Sequence, residues 1–262
     1  MIYASSEKSE IIFYYQVDFK FSKLDYKAMS YIFTSEKIKQ KIQSIFYLRG
    51  VMEGSQAFFY NRFAVYIARP VFSVFEMTLH DKLSKAKRVL DVGTGPGHFP
   101  ILLGEIYPDL KIIGVDLSDD MLSEATKALK RSGLTNVTFK KGDAMNLPFP
   151  NNHFDIVTSN FSIKHWPDRV KGLCEIYRVL KKGGVAWIIE AMKDSPDSSM
   201  KNLIHFLNPI QKILVFPILR YVVFPQSIAL DEATNYLKLS SFKKGEFRPV
   251  HNFPVLYALV KK

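Results

Sequence analysis

Cysteine is nearly absent. Cys174 is the single one in 262 residues, so neither a disulfide framework nor a cysteine zinc site can be built. It sits in an apparent helix with Leu173, Ile176, Tyr177 and Leu180 and reads as a buried structural thiol. Such scarcity fits a reducing, cytoplasmic setting. No metal-ligand cluster is expected. Basic residues outnumber acidic ones, 36 to 25, for a formal charge of +11, yet no run of five basic residues occurs. Scattered lysines describe a soluble basic surface, and no appended RNA-binding module is visible, so a nucleic-acid partner is not expected. An uninterrupted apolar run is also missing. The longest, 203–224, is broken by Pro209, Lys212, Pro217 and Arg220, whereas a spanning helix needs ~20 mostly apolar residues. The polar first ten residues, with Glu7 and Glu10, carry no secretory signal.

What is present is a glycine loop. Residues 89–97 read Val-Leu-Asp-Val-Gly-Thr-Gly-Pro-Gly. A short apolar strand ends at Asp91, glycines stand at Gly93, Gly95 and Gly97, and an apolar helical stretch opens at Phe99. Glycine allows a sharp turn and lets backbone lie against a ligand. Strand, glycine loop and helix N-terminus together make a nucleotide-type pocket. The dinucleotide pattern G-x-G-x-x-G fails, because its third glycine falls on His98. A nicotinamide enzyme is therefore disfavoured.

Strand and helix signals alternate downstream. Strands are predicted over 88–91, 111–116, 136–140, 154–159 and 185–190, with helices over 97–106, 119–131 and 167–180. Ser118 is the N-cap candidate and Gly133 the stop of the second helix, and Gly183-Gly184 should end the third. Such alternation implies right-handed crossovers and a doubly wound, mostly parallel sheet. A helix over 231–240 and β-like runs over 242–248 and 255–260 suit a C-terminal hairpin at the sheet edge.

Acidic residues recur where strands end. Asp116 closes Ile-Ile-Gly-Val-Asp, ~20 residues after the loop, and is placed to accept from ribose hydroxyls. Leu117, and one turn later Met121, can lie on an adenine face. In Gly142-Asp143-Ala144 the Asp can accept from an adenine amino group while the Ala144 amide faces a ring nitrogen. Asn160 and Phe161 follow the fourth strand, at the switch point of the sheet.

Six segments occur in one order: Leu-Asp-Val-Gly-Thr-Gly-Pro-Gly (90–97), Val-Asp-Leu-Ser (115–118), Gly-Asp-Ala (142–144), Phe-Asp-Ile-Val (154–157), His-Trp-Pro-Asp (165–168) and Glu-Ile-Tyr-Arg-Val-Leu-Lys-Lys-Gly-Gly (175–184). In content and order they resemble class I S-adenosylmethionine (SAM)-dependent methyltransferases of the type 11 group, close to the ubiquinone and menaquinone C-methyltransferases. Tyr-Asn-Arg-Phe-Ala (60–64) is similar to the segment that opens these domains and folds over the cofactor, which brings Tyr60 into the set. The resemblance implies a Rossmann-like fold with a seven-stranded sheet and a helical cap. It implies SAM as cofactor, held by Tyr60, Asp91, Gly93, Thr94, Gly95, Gly97, Asp116, Leu117, Met121, Asp143, Ala144, Asn160 and Phe161. Lys164 departs from the pattern, standing where many relatives carry a second histidine before His165.

The methyl is already activated in SAM, so a base is needed only if the acceptor must lose a proton. His165 is the catalytic candidate, with His205, Tyr60 and Tyr66 as further helpers. The expected domain is 52–262, with a core at 86–192 and a cap at 195–230. The apolar stretches 52–85 and 195–230 should build a pocket for a small apolar or aromatic acceptor. Arg69, Lys212 and Arg220 would then face anionic lipid in a peripheral membrane contact. Two other readings stand beside this one: an RNA or protein methyltransferase, against which the absence of Asn-Pro-Pro-aromatic at Asn160-Phe161-Ser162 counts, and a non-catalytic SAM-binding regulatory subunit. Residues 1–51 match nothing in the family. Arg49-Gly50-Val51 can be encoded by a purine-rich ribosome-binding sequence just ahead of Met52. The functional chain is therefore expected either to start at Met52 or to carry 1–51 as a helical cap. The oligomeric state is left open.

Overall fold

In the computed structural model the described residues are 78–205 and 219–262, with 2–5, 12–15, 72, 207, 212 and 215–217. Near the start, β1 (Ile2–Ser5) and β2 (Ile12–Tyr15) pair antiparallel. The rest of 1–51, on which the helical-cap expectation falls, lies outside the described residues.

The alternation of apolar runs with amphipathic stretches builds one seven-stranded sheet. In chain order it contains β3 (Arg88–Val92), β4 (Lys111–Asp116), β5 (Val137–Lys141), β6 (Phe154–Asn160), β7 (Leu180–Ala191), β8 (Arg248–Pro249) and β9 (Val255–Lys261). The spatial order is β5-β4-β3-β6-β7-β9-β8, parallel through β7 and antiparallel at β9 and β8. Five α-helices lie wholly among the described residues: α1 (His98–Ile106), α2 (Asp119–Ser132), α3 (Arg169–Val179), α4 (Asp197–Leu203) and α5 (Leu230–Leu239).

The helix ends obey their local chemistry. Ser118 Oγ accepts from the Met121 amide at 3.2 Å, and Gly133 closes α2 in the left-handed region at φ 69°. Asp168 caps α3 by accepting from the Lys171 amide at 2.9 Å. Two cores follow from strand alternation. Val89, Ile112, Ile156, Trp187 and Ile189 pack with Phe99 and Leu103 of α1 and with Met200 and Leu203 of α4. Leu90, Val157, Ala186 and Ile188 pack on the other face with Leu173 and Ile176 of α3 and Leu237 of α5.

Two expected elements differ. Gly183-Gly184 does not lie between helix and strand, because β7 already begins at Leu180 and absorbs both glycines. The register with β6 shifts between Phe154 and Ile156, and Gly183 takes φ 80°, the geometry of a bulge. The run 242–248 is not a strand until Arg248. Lys243 and Gly245 have positive φ, and Phe242 and Phe247 turn into the core, so the backbone leaves the extended state. The C-terminal hairpin therefore keeps only a two-residue outer strand.

Candidate active site

β3 turns sharply after Val92, and the carbonyl of Val115 on β4 holds the turn. It accepts from the Gly93 amide at 2.8 Å and the Thr94 amide at 2.9 Å. Gly93 has φ 71°, and a Cβ there would lie 1.8 Å from Ser162 Oγ, so glycine is obligatory. The Gly95 amide donates to Asp116 Oδ2 at 2.7 Å, and the Ser118 amide donates to Oδ1 at 2.9 Å. The Leu117 amide also donates to this carboxylate, which leaves lone-pair capacity for a further donor. Burial raises the Asp116 pKa, against the lowering effect of these amides.

Asp91 lies one strand away and is buried. Directly across the ladder, Thr158 Oγ1 donates to its Oδ1 at 2.7 Å, and Asn160 Nδ2 donates to the same oxygen at 3.0 Å. Desolvation dominates nonetheless, and with the nearby Asp116 charge it pushes the Asp91 carboxyl up to about 6. Asp143 Oδ1 accepts from the Met145 amide at 2.8 Å, and its carbonyl accepts from Asn146, which tightens the loop after β5.

These groups surround a cavity of about 200 Å³ at the carboxyl ends of β3, β4, β5 and β6. It opens between β3 and β6, where the chain reverses its direction of travel across the sheet. Eleven of the thirteen residues expected to hold the cofactor line it: Asp91, Gly93, Thr94, Gly95, Asp116, Leu117, Met121, Asp143, Ala144, Asn160 and Phe161. The catalytic candidate His165 lines it as well. Gly97 does not line it. At φ 78° it is the N-cap of α1, and a Cβ would lie 2.4 Å from the Phe139 ring. Its glycine serves helix-on-strand packing. His205 is exposed and is not among the lining residues. Tyr60, Tyr66 and Arg69 lie outside the described residues. Arg220 pairs with Asp197 at 3.2 Å, so one of the three cations expected to face lipid has a protein partner.

Sequence reasoning missed Phe72, His98, Phe99, Met145, Ser162 and Trp166 on the wall. The His-Trp-Pro-Asp segment was a usable signal for Trp166. Phe72 and Phe99 meet with ring centroids 5.1 Å apart and planes tilted by 48°, a pairing that only the folded chain brings about.

The balance of charge is informative. Among the described lining residues there are three aspartates and no lysine or arginine, in a chain of net charge +11. A phosphate-bearing nucleotide would meet only like charge. A ligand with cationic groups, an adenosyl unit and ribose hydroxyls suits this set of acceptors, and Asn160 Oδ1 is buried without a hydrogen-bond partner in the protein.

The model of the family described as "Methyltransferase domain" matches residues 89–184. A demethylmenaquinone methyltransferase from Chlorobaculum parvum is 34% identical over 183 residues, covering 66% of this chain and 73% of its own. The protein of that name from Chlorobaculum tepidum is 34% identical over 184 residues with the same coverage. The chain belongs to the SAM-dependent methyltransferase family. A SAM-dependent methyltransferase from Aquifex aeolicus superposes with a TM-score of 0.55 at 19% identity, over 85% of this chain and 97% of that one. One from Methanococcus maripaludis reaches 0.58 at 22% identity, over 81% and 97%. At such identities the two structures speak for the fold. This methyltransferase uses SAM as its methyl donor, and the acidic cavity fits its sulfonium and ammonium charges.

Proposed function

We propose that this methyltransferase alkylates a small apolar or aromatic acceptor, of the class of a quinol ring. The observation that carries this reading is the wall itself: Phe72, Phe99, Phe161 and Trp166 surround the cavity beside its carboxylates, with no cationic side chain described there to recruit an anionic polymer. Relatives at 34% identity are named demethylmenaquinone methyltransferases, which supports a quinol head group.

Asp116 would bind the ribose hydroxyls with its free lone pairs, and Asp143 with the Ala144 amide would read the adenine edge. Leu117, 44% exposed although apolar, offers a platform for one adenine face, with Met121 behind it. Asp91 and Asn160 would hold the ammonium of the methionine end. SAM supplies a methyl on a positively charged sulfur. The protein's task is to hold the acceptor in line with that bond and to keep water out. As the new C–C bond forms and the S–C bond breaks, the methylated ring carbon must shed its proton. His165 on the acceptor wall is the proposed recipient.

The test supplies purified protein with methyl-labelled SAM and, separately, a demethylated naphthoquinol with a short isoprenoid tail, bulk RNA and a protein extract. Label should enter the quinol only, adding one methyl mass. Label in RNA or protein alone would overturn the choice of acceptor. SAM uptake with no transfer to any of them would favour a regulatory SAM-binding role. His165→Gln should lower turnover about a hundredfold or more, the lower range for a lost acid–base group, with SAM affinity kept. Unchanged turnover would remove His165 from the chemistry.

A further inference from the structure

Lys164, the residue that departs from the family pattern, does not line the cavity. Its side chain points instead toward Glu190 near the end of β7, with Nζ 3.6 Å from Oε1, and the two side chains are 5% and 0% exposed. Burying two charges costs more than a separated contact of this length returns, so the pair needs a role other than net stability.

The surrounding hydrogen bonds supply one. Glu190 Oε2 accepts from the Lys164 amide at 3.1 Å, while Oε1 accepts from the Ala191 amide at 2.8 Å. From the other side, Arg169 donates to the Lys164 carbonyl at 3.2 Å, and its guanidinium lies over the Tyr236 ring of α5 at 5.3 Å. Both peptide groups of Lys164 are therefore gripped. The gripped residue is the centre of the 3-10 turn Ile163–His165, which presents His165 and then Trp166 to the cavity.

The same turn carries backbone strain at its entry. Phe161 has φ 57°, an outlying conformation for a bulky side chain. Its amide donates to the Ile189 carbonyl at 2.8 Å, one residue from Glu190. A strained residue persists only where its surroundings over-determine it.

We propose that Glu190, Lys164 and Arg169 are positioning residues: they clamp the 161–166 turn to β7 and α5, and thereby hold the acceptor-facing wall for methyl transfer without touching SAM. This rests on the reading of the cavity as a SAM and acceptor site. The clamp lies on the acceptor side of Asn160, so its loss should leave the adenosine-binding groups in place. Lysine at this position then acts as a structural counter-charge, and no histidine dyad is required.

The decisive variants are Glu190→Gln, Lys164→Met and the double Lys164→Met/Glu190→Leu. The double fills the space with apolar atoms, a change that tends to keep a fold intact, and it removes the acceptor of the Lys164 amide. Hydrogen exchange measured by mass spectrometry should speed up at least tenfold across 161–168 in the double variant. S-adenosylhomocysteine affinity should stay within about twofold of the wild-type value. With the naphthoquinol as probe, kcat should fall at least tenfold while the KM for SAM holds, and Lys164→Arg should restore most of the rate. Unchanged exchange in the folded variants would overturn the clamp, as would a loss of S-adenosylhomocysteine affinity matching the loss of rate. If the wild-type protein itself binds no S-adenosylhomocysteine, the failure belongs to the cavity reading. Exchange across 161–168 tests the clamp regardless of which acceptor is used.

Discussion

Asp91 and Asp116 face one cavity, and burial raises the pKa of both. Asp91 has a folded value of about 6 against an ordinary 3.8. A carboxyl raised on folding stabilises the ligand-free protein below about pH 4, and that contribution is lost as pH climbs through about 6. Two pKa units correspond to roughly 3 kcal/mol. Asp91→Asn should accordingly raise the melting temperature of the ligand-free protein at pH 7.5 while weakening SAM binding; a lower melting temperature would contradict the assigned burial cost. A cationic ligand favours the ionised carboxyl, so SAM should bind more weakly as pH falls below about 6, approaching tenfold per unit at the limit. Calorimetry from pH 5 to 8 checks this, and a flat profile in the wild type would count against Asp91 as the cation's partner. Asp116→Ala should cost roughly 2–4 kcal/mol of SAM affinity. Asp116→Asn, which keeps one acceptor for the Gly95 and Ser118 amides, should cost less. Most of this site was legible in the sequence because strand ends, glycines and acids are local features. Gly97 misled for the same reason: it belongs to the loop pattern, but its neighbour in space is Phe139, forty-odd residues away.

Among the elements, the helix and strand boundaries that obey caps and apolar runs matched expectation. Ser118, Gly133 and the first four strands of the sheet are examples. What failed was decided by tertiary contact. Gly183-Gly184 punctuates the sequence like a loop, but pairing with β6 draws it into β7 as a bulge. The run 242–248 has a strand's composition, but its phenylalanines serve the core between α3, α5 and β9. The cavity wall shows the same dependence on packing. Gly172 on α3 leaves room for Trp166, and a Cβ there would meet Trp166 Cε3 at 2.4 Å. Alanine should gain up to about 1 kcal/mol in helix propensity, yet Gly172→Ala is expected to lower the melting temperature and to slow turnover more than it weakens SAM binding. A more stable variant with full turnover would show that Trp166 has freedom to move.

Across the whole molecule, charge and function are separated. The chain is strongly basic, while its described cavity presents carboxylates and aromatic rings at the carboxyl edge of the sheet. No helix among the described residues is long and apolar enough to cross a membrane. The aromatic wall of the cavity was the least legible in sequence, since Phe72 and Phe99 come from segments distant from Trp166 and no local pattern joins them. The cofactor side carries the central claim, that three aspartates and a tight glycine turn grip an adenosyl sulfonium. Isothermal titration of the purified protein with SAM tests it most directly. The account predicts saturable uptake of one SAM per chain that is sharply weakened by Asp116→Ala. No uptake at any pH between 5 and 8 would contradict it.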